Sequence, residues 1–169
     1  MPLPDPWNHD SLFWRISLAD SASEAVASPG FAPPEPWVRA LAAVARDLRC
    51  LRFGTDVKID RLEWNFAIDS EYRVSIGWQG AGGISGFTCA HGLTMDATFG
   101  DAAVWVADTA QGELAGYDFV QWPSRGRQLL VPRLLAGEPV WVDPHGDGVI
   151  GPIGQLCEHV DRWSELSGR

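Results

Sequence analysis

Between Leu62 and Trp78 apolar and polar residues alternate with a period of two. Leu62, Trp64, Phe66 and Ile68 are separated by Glu63, Asn65 and Ala67, and Tyr72, Val74, Ile76 and Trp78 by Arg73, Ser75 and Gly77. Successive side chains of a strand point to opposite faces, so this spacing predicts two strands with one apolar face each. Asp69-Ser70-Glu71 has the length of a hairpin loop, and pairing the strands makes one aromatic–aliphatic wall. Leu12, Trp14, Ile16 and Leu18 alternate with Phe13, Arg15 and Ser17, which predicts a half-buried strand over 12–18. Shorter strands are predicted over 84–90 and 93–99, and a second hairpin joins Leu129–Leu135 to Pro139–Asp143 around Ala136-Gly137-Glu138.

A helical period appears at Trp37, Leu41, Val44, Leu48 and Leu51, one apolar stripe with Arg39, Arg46, Asp47 and Arg49 mostly off it. Pro36 suits the first helical position and Gly54 can end the element. Asp101 is a suitable N-cap for a helix over about 102–115 that stops near Gly116. Ile153, Leu156, Val160 and Trp163 predict a last helix over about 153–166. Residues 1–10 read as a loosely held lead-in that Trp7 could pin, and 19–34 as a loop. The strands come in meander-like pairs, so the chain is expected to be one α+β domain over 1–169: a mostly antiparallel sheet with two or three helices on one face.

Composition adds surface character. The 169 residues include nine tryptophans, with 22 acidic against 13 basic residues and a net charge of −9. Such a surface repels phosphate backbones, which disfavours nucleic acid, and attracts a basic protein partner; it also simply keeps a protein dispersed. Cys50, Cys89 and Cys157 are odd in number and far apart, which suggests no disulfide framework and a reducing compartment. Met1-Pro2-Leu3-Pro4-Asp5-Pro6 lacks the basic and apolar regions of a signal peptide, and no apolar run approaches the ~20 residues of a membrane span. A cytoplasmic protein is expected, without membrane association.

Candidate chemistry is thin. Cys89-x-His91 and Cys157-x-His159 offer the ligand types of a zinc site, but i and i+2 on a helix diverge, so no metal is expected. The same residues could form a cysteine nucleophile with a histidine base, although no family signature surrounds them; a Gly-x-Ser-x-Gly elbow does not occur. Asp143-Pro144-His145-Gly146-Asp147-Gly148 opens like a calcium loop, yet His145 and Gly154 stand where oxygen ligands are needed, so a tight turn from strand to helix is the better reading. Gly80-Ala81-Gly82-Gly83 and Gly148-Val149-Ile150-Gly151 lack the residues of a phosphate cradle and read as turns, so no cofactor is expected. The carboxylates Asp56, Asp60, Glu63, Asp69 and Glu71 could hide a glycosidase pair but read as a solvated acidic face.

From Gln121 onward Trp122-Pro123, Leu129-Leu130, Pro139-Val140-Trp141-Val142, Pro144 and Ile153-Gly154-Gln155-Leu156 follow a recurring order. Over about 35 residues this resembles a family of small bacterial proteins of unassigned function, with the pattern Trp-Pro-x-Cys-Pro-x-His, a Leu-rich stretch, Val-Trp-x-Cys-Pro and Ile-Gly-x-Leu. Arg125 and Asp143 stand where that pattern has cysteines, so a metal or thiol role there does not carry over, and an Arg–Asp pair could replace the cross-link. The resemblance implies no reaction; small acidic proteins of this style include immunity proteins and antitoxins, an association by style and not by site. The expected function is non-catalytic: neutralising a basic, toxin-like protein through Asp56, Asp60, Glu63, Asp69, Glu71, Trp78, Trp105, Asp143 and Asp147. The alternatives are a small enzyme using His91 or His145 with a carboxylate, or an assembly subunit.

Overall fold

The aromatic wall is the centre of a four-stranded antiparallel sheet in the order β1-β3-β4-β5. The computed structural model describes residues 12–18, 32–59, 62–78, 86–89, 93–126, 128–146 and 148–160. Strand β1 is Leu12–Ser17, β3 Glu63–Ile68, β4 Val74–Trp78 and β5 Phe87–Cys89; a two-residue β2, Phe53–Gly54, precedes β3. The register places Ile16, Trp64, Trp78 and Phe87 in one row and Trp14, Phe66, Ile76 and Cys89 in the next. The hairpin thus follows the sequence expectation with one exception: Leu62, Trp64, Phe66, Ile68, Val74, Ile76 and Trp78 are buried, but Tyr72 adopts φ +63° in the turn before β4 and is exposed. Gly77 is required: a Cβ there would stand 2.0 Å from the Phe87 carbonyl oxygen, so only glycine lets β5 pair this closely.

The loop of this hairpin is organised by Asp69. Its Oδ1 accepts from the backbone N–H groups of Glu71 and Arg73, and its Oδ2 from the Arg73 guanidinium at 3.0 Å. Burial pushes the Asp69 carboxyl up, but the Arg73 backbone and guanidinium and the Glu71 N–H together hold it below the ordinary carboxylate range.

Helix α1 runs Glu35–Asp47 with Pro36 in its first turn, and its apolar stripe packs inward; Trp37 meets Phe66 of β3 at 5.6 Å between ring centroids. The helix ends earlier than its periodicity suggests. Leu48 caps it and Leu51 adopts φ +56°, so Gly54 is no cap; it lies in β2, where a Cβ would stand 2.3 Å from the Phe119 carbonyl oxygen. Helix α2 is Phe99–Tyr117, starting three residues before the expected position and running past Gly116. Its N-cap is Thr98, not Asp101: the Thr98 hydroxyl accepts from the Asp101 N–H and donates to the Asp101 carboxylate, a reciprocal cap. Residues 93–99 accordingly contribute only a bridge from Thr94 to Arg73 before the helix begins.

Beyond α2 come β6 (Val120–Gln121, paired with β2), β7 (Ser124–Arg125) and β8 (Gln128–Leu129), then β9 (Val131–Leu135), β10 (Glu138–Asp143) and β11 (Gly148–Pro152). The last three form a second antiparallel sheet in the order β11-β10-β9. The β9–β10 hairpin matches the sequence reading, whereas the Asp143–Gly148 turn leads into a strand and not a helix; helical structure over 156–160 follows only after β11. The fold is α+β with several antiparallel sheets sharing one hydrophobic core.

One covalent feature overturns an expectation. Cys50 and Cys157, 107 residues apart, form a disulfide with a Cα–Cα distance of 5.7 Å, and Cys89 is the free cysteine. A count of three widely spaced cysteines concealed a bridged pair. The reducing compartment inferred from that count loses its support.

Candidate functional site

Asp47, the last residue of α1, is fully buried. Its Oδ2 accepts from the Trp141 indole N–H and the Gly154 backbone N–H, both at 2.7 Å, and its Oδ1 from the Leu156 N–H at 3.0 Å. Its backbone carbonyl accepts from the Trp122 indole at 2.9 Å, and the Trp122 and Trp141 rings meet edge to face at 5.2 Å. Arg46 donates to the Gly154 carbonyl at 3.2 Å. Burial pushes the Asp47 carboxyl above its ordinary range, against the pull of the three donors and of Arg46.

Trp122, Trp141, Gly154 and Leu156 are all residues of the C-terminal pattern described above, and here they converge on one residue, the last three on the Asp47 carboxylate and Trp122 on its backbone carbonyl. Each indole and amide is a buried donor that needs an acceptor, and Asp47 serves four of them through three oxygens. The arrangement ties the last third of the chain to the end of α1. It is enclosed by protein, so its chemistry is that of a structural clasp. Sequence reading missed Asp47 because it looked like a polar residue off the α1 stripe; the signal lay in two tryptophans with no acceptor of their own.

A surface site lies on α2. Asp101, Val104, Trp105 and Asp108 occur at i, i+3, i+4 and i+7, one face of the helix. Across from them Pro132, Arg133 and Leu134 of β9 complete an open groove of about 430 Å³, with Leu93 beside it. Gly100 fixes one end: a Cβ there would stand 2.8 Å from the Gly137 carbonyl oxygen and from Leu134 Cδ1, so the first turn of α2 touches the β9–β10 hairpin. Trp105 is half-buried, its ring edge-to-face with Trp37 at 5.7 Å, while another part of it lines the groove. Asp101 and Asp108 are exposed beside it, and Leu134 is 41% exposed. The Arg133 guanidinium donates to the Pro132 carbonyl at 3.0 Å. An aromatic flanked by carboxylates on an apolar floor can hold a cationic side chain by charge and by ring contact.

The residues expected to bind a partner are scattered. Trp105 is in the groove. Trp78 is buried at 1% exposure in the sheet wall, which removes it from the surface. Glu63 and the Asp69–Glu71 turn lie at opposite ends of β3, about 17–20 Å apart at the rise of a strand, so they form no single patch. Glu71 reaches Arg73 at 3.3 Å, and Asp56 is exposed after β2. Asp143 Oδ1 accepts from the His145 N–H and so shapes its own turn. Asp60 and Asp147 lie outside the described residues, as do His91, Trp7 and Trp163. Asp101 and Asp108 were not read as site residues, although their helical spacing from Trp105 could have found them.

The catalytic alternatives gain little. Cys157 is committed to the disulfide and so is not free to ligate zinc or act as a thiolate. Burial, with the nearby Glu113 carboxylate, pushes the Cys89 thiol up, the opposite of what a nucleophile requires. His159 donates from Nδ1 to the Gln155 carbonyl at 2.8 Å within its own turn. Among the described residues no group of three or more His, Cys, Asp or Glu side chains could hold a metal, and no helix is long and apolar enough to cross a membrane. The chain matches no family model, no curated protein and no solved structure.

Proposed function

We propose that this protein is an acidic binding module that engages a basic protein partner, in the manner of an immunity protein or antitoxin that neutralises a toxin by contact. The observation that carries the reading is the groove beside α2, where Asp101 and Asp108 bracket a half-buried Trp105 among Leu93, Val104, Pro132 and Leu134, and where the one lining cation, Arg133, donates to the Pro132 carbonyl. Tryptophan anchors dominate the energetics of interfaces, and flanking charges steer a partner of opposite sign. The net charge of −9 adds long-range attraction for such a partner. The occupant that fits is a segment carrying arginine or lysine next to apolar residues, its cation over the Trp105 ring. Partner-binding residues on this reading are Asp101, Trp105 and Asp108, with the exposed acids Asp56 and Glu63 contributing to attraction at a distance.

The test is a titration of the folded protein with a short amphipathic peptide bearing two arginines, alongside the same peptide with glutamates in their place. Saturable binding of the arginine peptide that weakens with salt, and falls at least tenfold in Trp105→Ala and in Asp101→Lys/Asp108→Lys, supports the proposal. Equal binding of both peptides, or binding indifferent to these substitutions, rejects it.

A further inference from the structure

Strand β9 stands last in the order β11-β10-β9, so one of its edges pairs with β10 and the other with no described strand. The register decides which main-chain groups that free edge carries. Leu134 stands opposite Pro139, and Pro132 opposite Trp141. Pro139 has no N–H to give, and its carbonyl accepts from the Ile153 N–H at 3.0 Å, on the β11 side. The Leu134–Pro139 pair is therefore of the non-hydrogen-bonded kind, and because pairs alternate along a ladder the Pro132–Trp141 pair is too. The main-chain groups of Pro132 and Leu134 thus point out of the sheet. The Pro132 carbonyl accepts from the Arg133 guanidinium at 3.0 Å, whereas the Leu134 N–H and C=O have no hydrogen-bond partner among the described residues.

The groove beside α2 runs along this edge. Pro132 and Leu134 project from one face of β9 and Arg133 from the other, yet all three line it. The first turn of α2 meets the Leu134 side chain at Gly100, and Gln111 donates to the Leu130 carbonyl at 2.7 Å. Helix and strand are therefore antiparallel neighbours, about 16 Å of one beside about 13 Å of the other. The facing wall carries Asp101, Trp105 and Asp108 in that order from the Leu134 end, on the side towards which the Pro132 and Leu134 side chains project. Leu134 is 41% exposed, and the side chain of exposed Arg133 already reaches an edge carbonyl, so the edge is open to a donor.

Resting on the reading of this groove as the binding site, we propose that its occupant is an extended basic segment that joins β9 as a further antiparallel strand, with cations at alternate positions. The residue opposite Leu134 gives its N–H to the Leu134 carbonyl and accepts from the Leu134 N–H, as in other cases of strand addition to a sheet edge. The residue opposite Pro132 gives its N–H to the Pro132 carbonyl, whose oxygen can accept a second bond beside that of Arg133. Both residues share the face of Leu134 and Pro132, so their side chains meet Asp101, Trp105 and Asp108, while the residue between them turns to the Arg133 side. Main-chain pairing thus supplies contact, and the carboxylates with the indole select cations at every second position.

The experiment titrates the intact protein with two blocked peptides of one composition, Thr-Arg-Val-Arg-Thr and Arg-Thr-Val-Arg-Thr. The first puts both arginines on one face of a strand and the second on opposite faces, so the first should bind at least about fivefold more tightly. Methylating one backbone nitrogen at a time in the first peptide should weaken binding about tenfold or more at either arginine, and less than about twofold at the valine, whose N–H points away from β9. Leu134→Pro removes the edge donor without breaking a bond to β10 and should weaken binding about tenfold, whereas Leu134→Ala, which keeps that donor, should bind within about threefold of wild type. Equal binding of the two peptides, or indifference to methylation at the arginines, overturns strand addition while leaving the groove as the site. Absence of binding by both peptides, or binding indifferent to Trp105→Ala, overturns the groove itself and this proposal with it. The methylation series needs only the wild-type protein, so it decides the matter if the Leu134 variants fold poorly.

Discussion

Replacing Asp47 by asparagine keeps the side-chain shape and exchanges one acceptor for an NH2 donor. The amide must choose an orientation. Facing Oδ2, its NH2 would oppose both the Trp141 indole and the Gly154 N–H at 2.7 Å; facing Oδ1, it opposes only the Leu156 N–H at 3.0 Å. The second orientation costs one unsatisfied buried donor, about 1–3 kcal/mol, and reduces two charge-assisted bonds to neutral ones at about 1 kcal/mol each. Relief from burying a charge returns part of this, so the net loss is about 2–4 kcal/mol. Against a total stability on the order of 5–15 kcal/mol that is a large fraction, and it lowers the melting temperature by about 5–15 °C. Urea unfolding followed by tryptophan emission measures it, since Trp122 and Trp141 both report on the centre. A double-mutant cycle with Trp141→Phe should give a coupling of about 1–3 kcal/mol. If Asp47→Asn lies within about 0.5 kcal/mol of wild type, as an ordinary surface substitution would, the clasp is not holding the C-terminal third.

Other consequences are separate. Burial raises the Asp47 carboxyl, so the folded chain binds that proton more tightly than the unfolded one, and its contribution is complete at low pH and declines as pH rises through the raised value. The stability gap between wild type and Asp47→Asn should therefore shrink from about pH 3 to pH 7 in urea titrations; a widening gap contradicts the sign. Gly154→Ala places a Cβ at φ +104° and 3.0 Å from Ala43 Cβ, which should cost about 1–3 kcal/mol by thermal unfolding. Cys50→Ser/Cys157→Ser opens a link across 107 residues and should lose about 2–5 kcal/mol in urea without reductant, with one reactive thiol in the oxidised wild type and three after reduction.

What was legible in the sequence was what local periodicity controls. The β3–β4 hairpin and the stripe of α1 could be read because burial on one face imposes periods of two and 3.6 on the residues themselves. The end of α1 could not: Leu48 and Leu51 continue the apolar stripe, but the chain turns after Asp47, where long-range hydrogen bonds and the disulfide to Cys157 take over. The start of α2 was misplaced because Asp101 and Thr98 are both capping residues, and only their reciprocal hydrogen bonds show which one is the cap. Trp78 and Trp105 looked equivalent in the sequence, yet register buries the first and helix packing leaves the second at the groove. Partners separated by about a hundred residues leave no local trace, which is why the Asp47 centre and the bridge emerged only in three dimensions.

The division between an enclosed Asp47 clasp and an open Trp105 groove is tested most directly by following indole N–H resonances while the arginine peptide is added. The Trp105 signal should shift saturably while those of Trp122 and Trp141 stay fixed. Shifts at Trp122 and Trp141 with Trp105 unmoved would reverse the two roles.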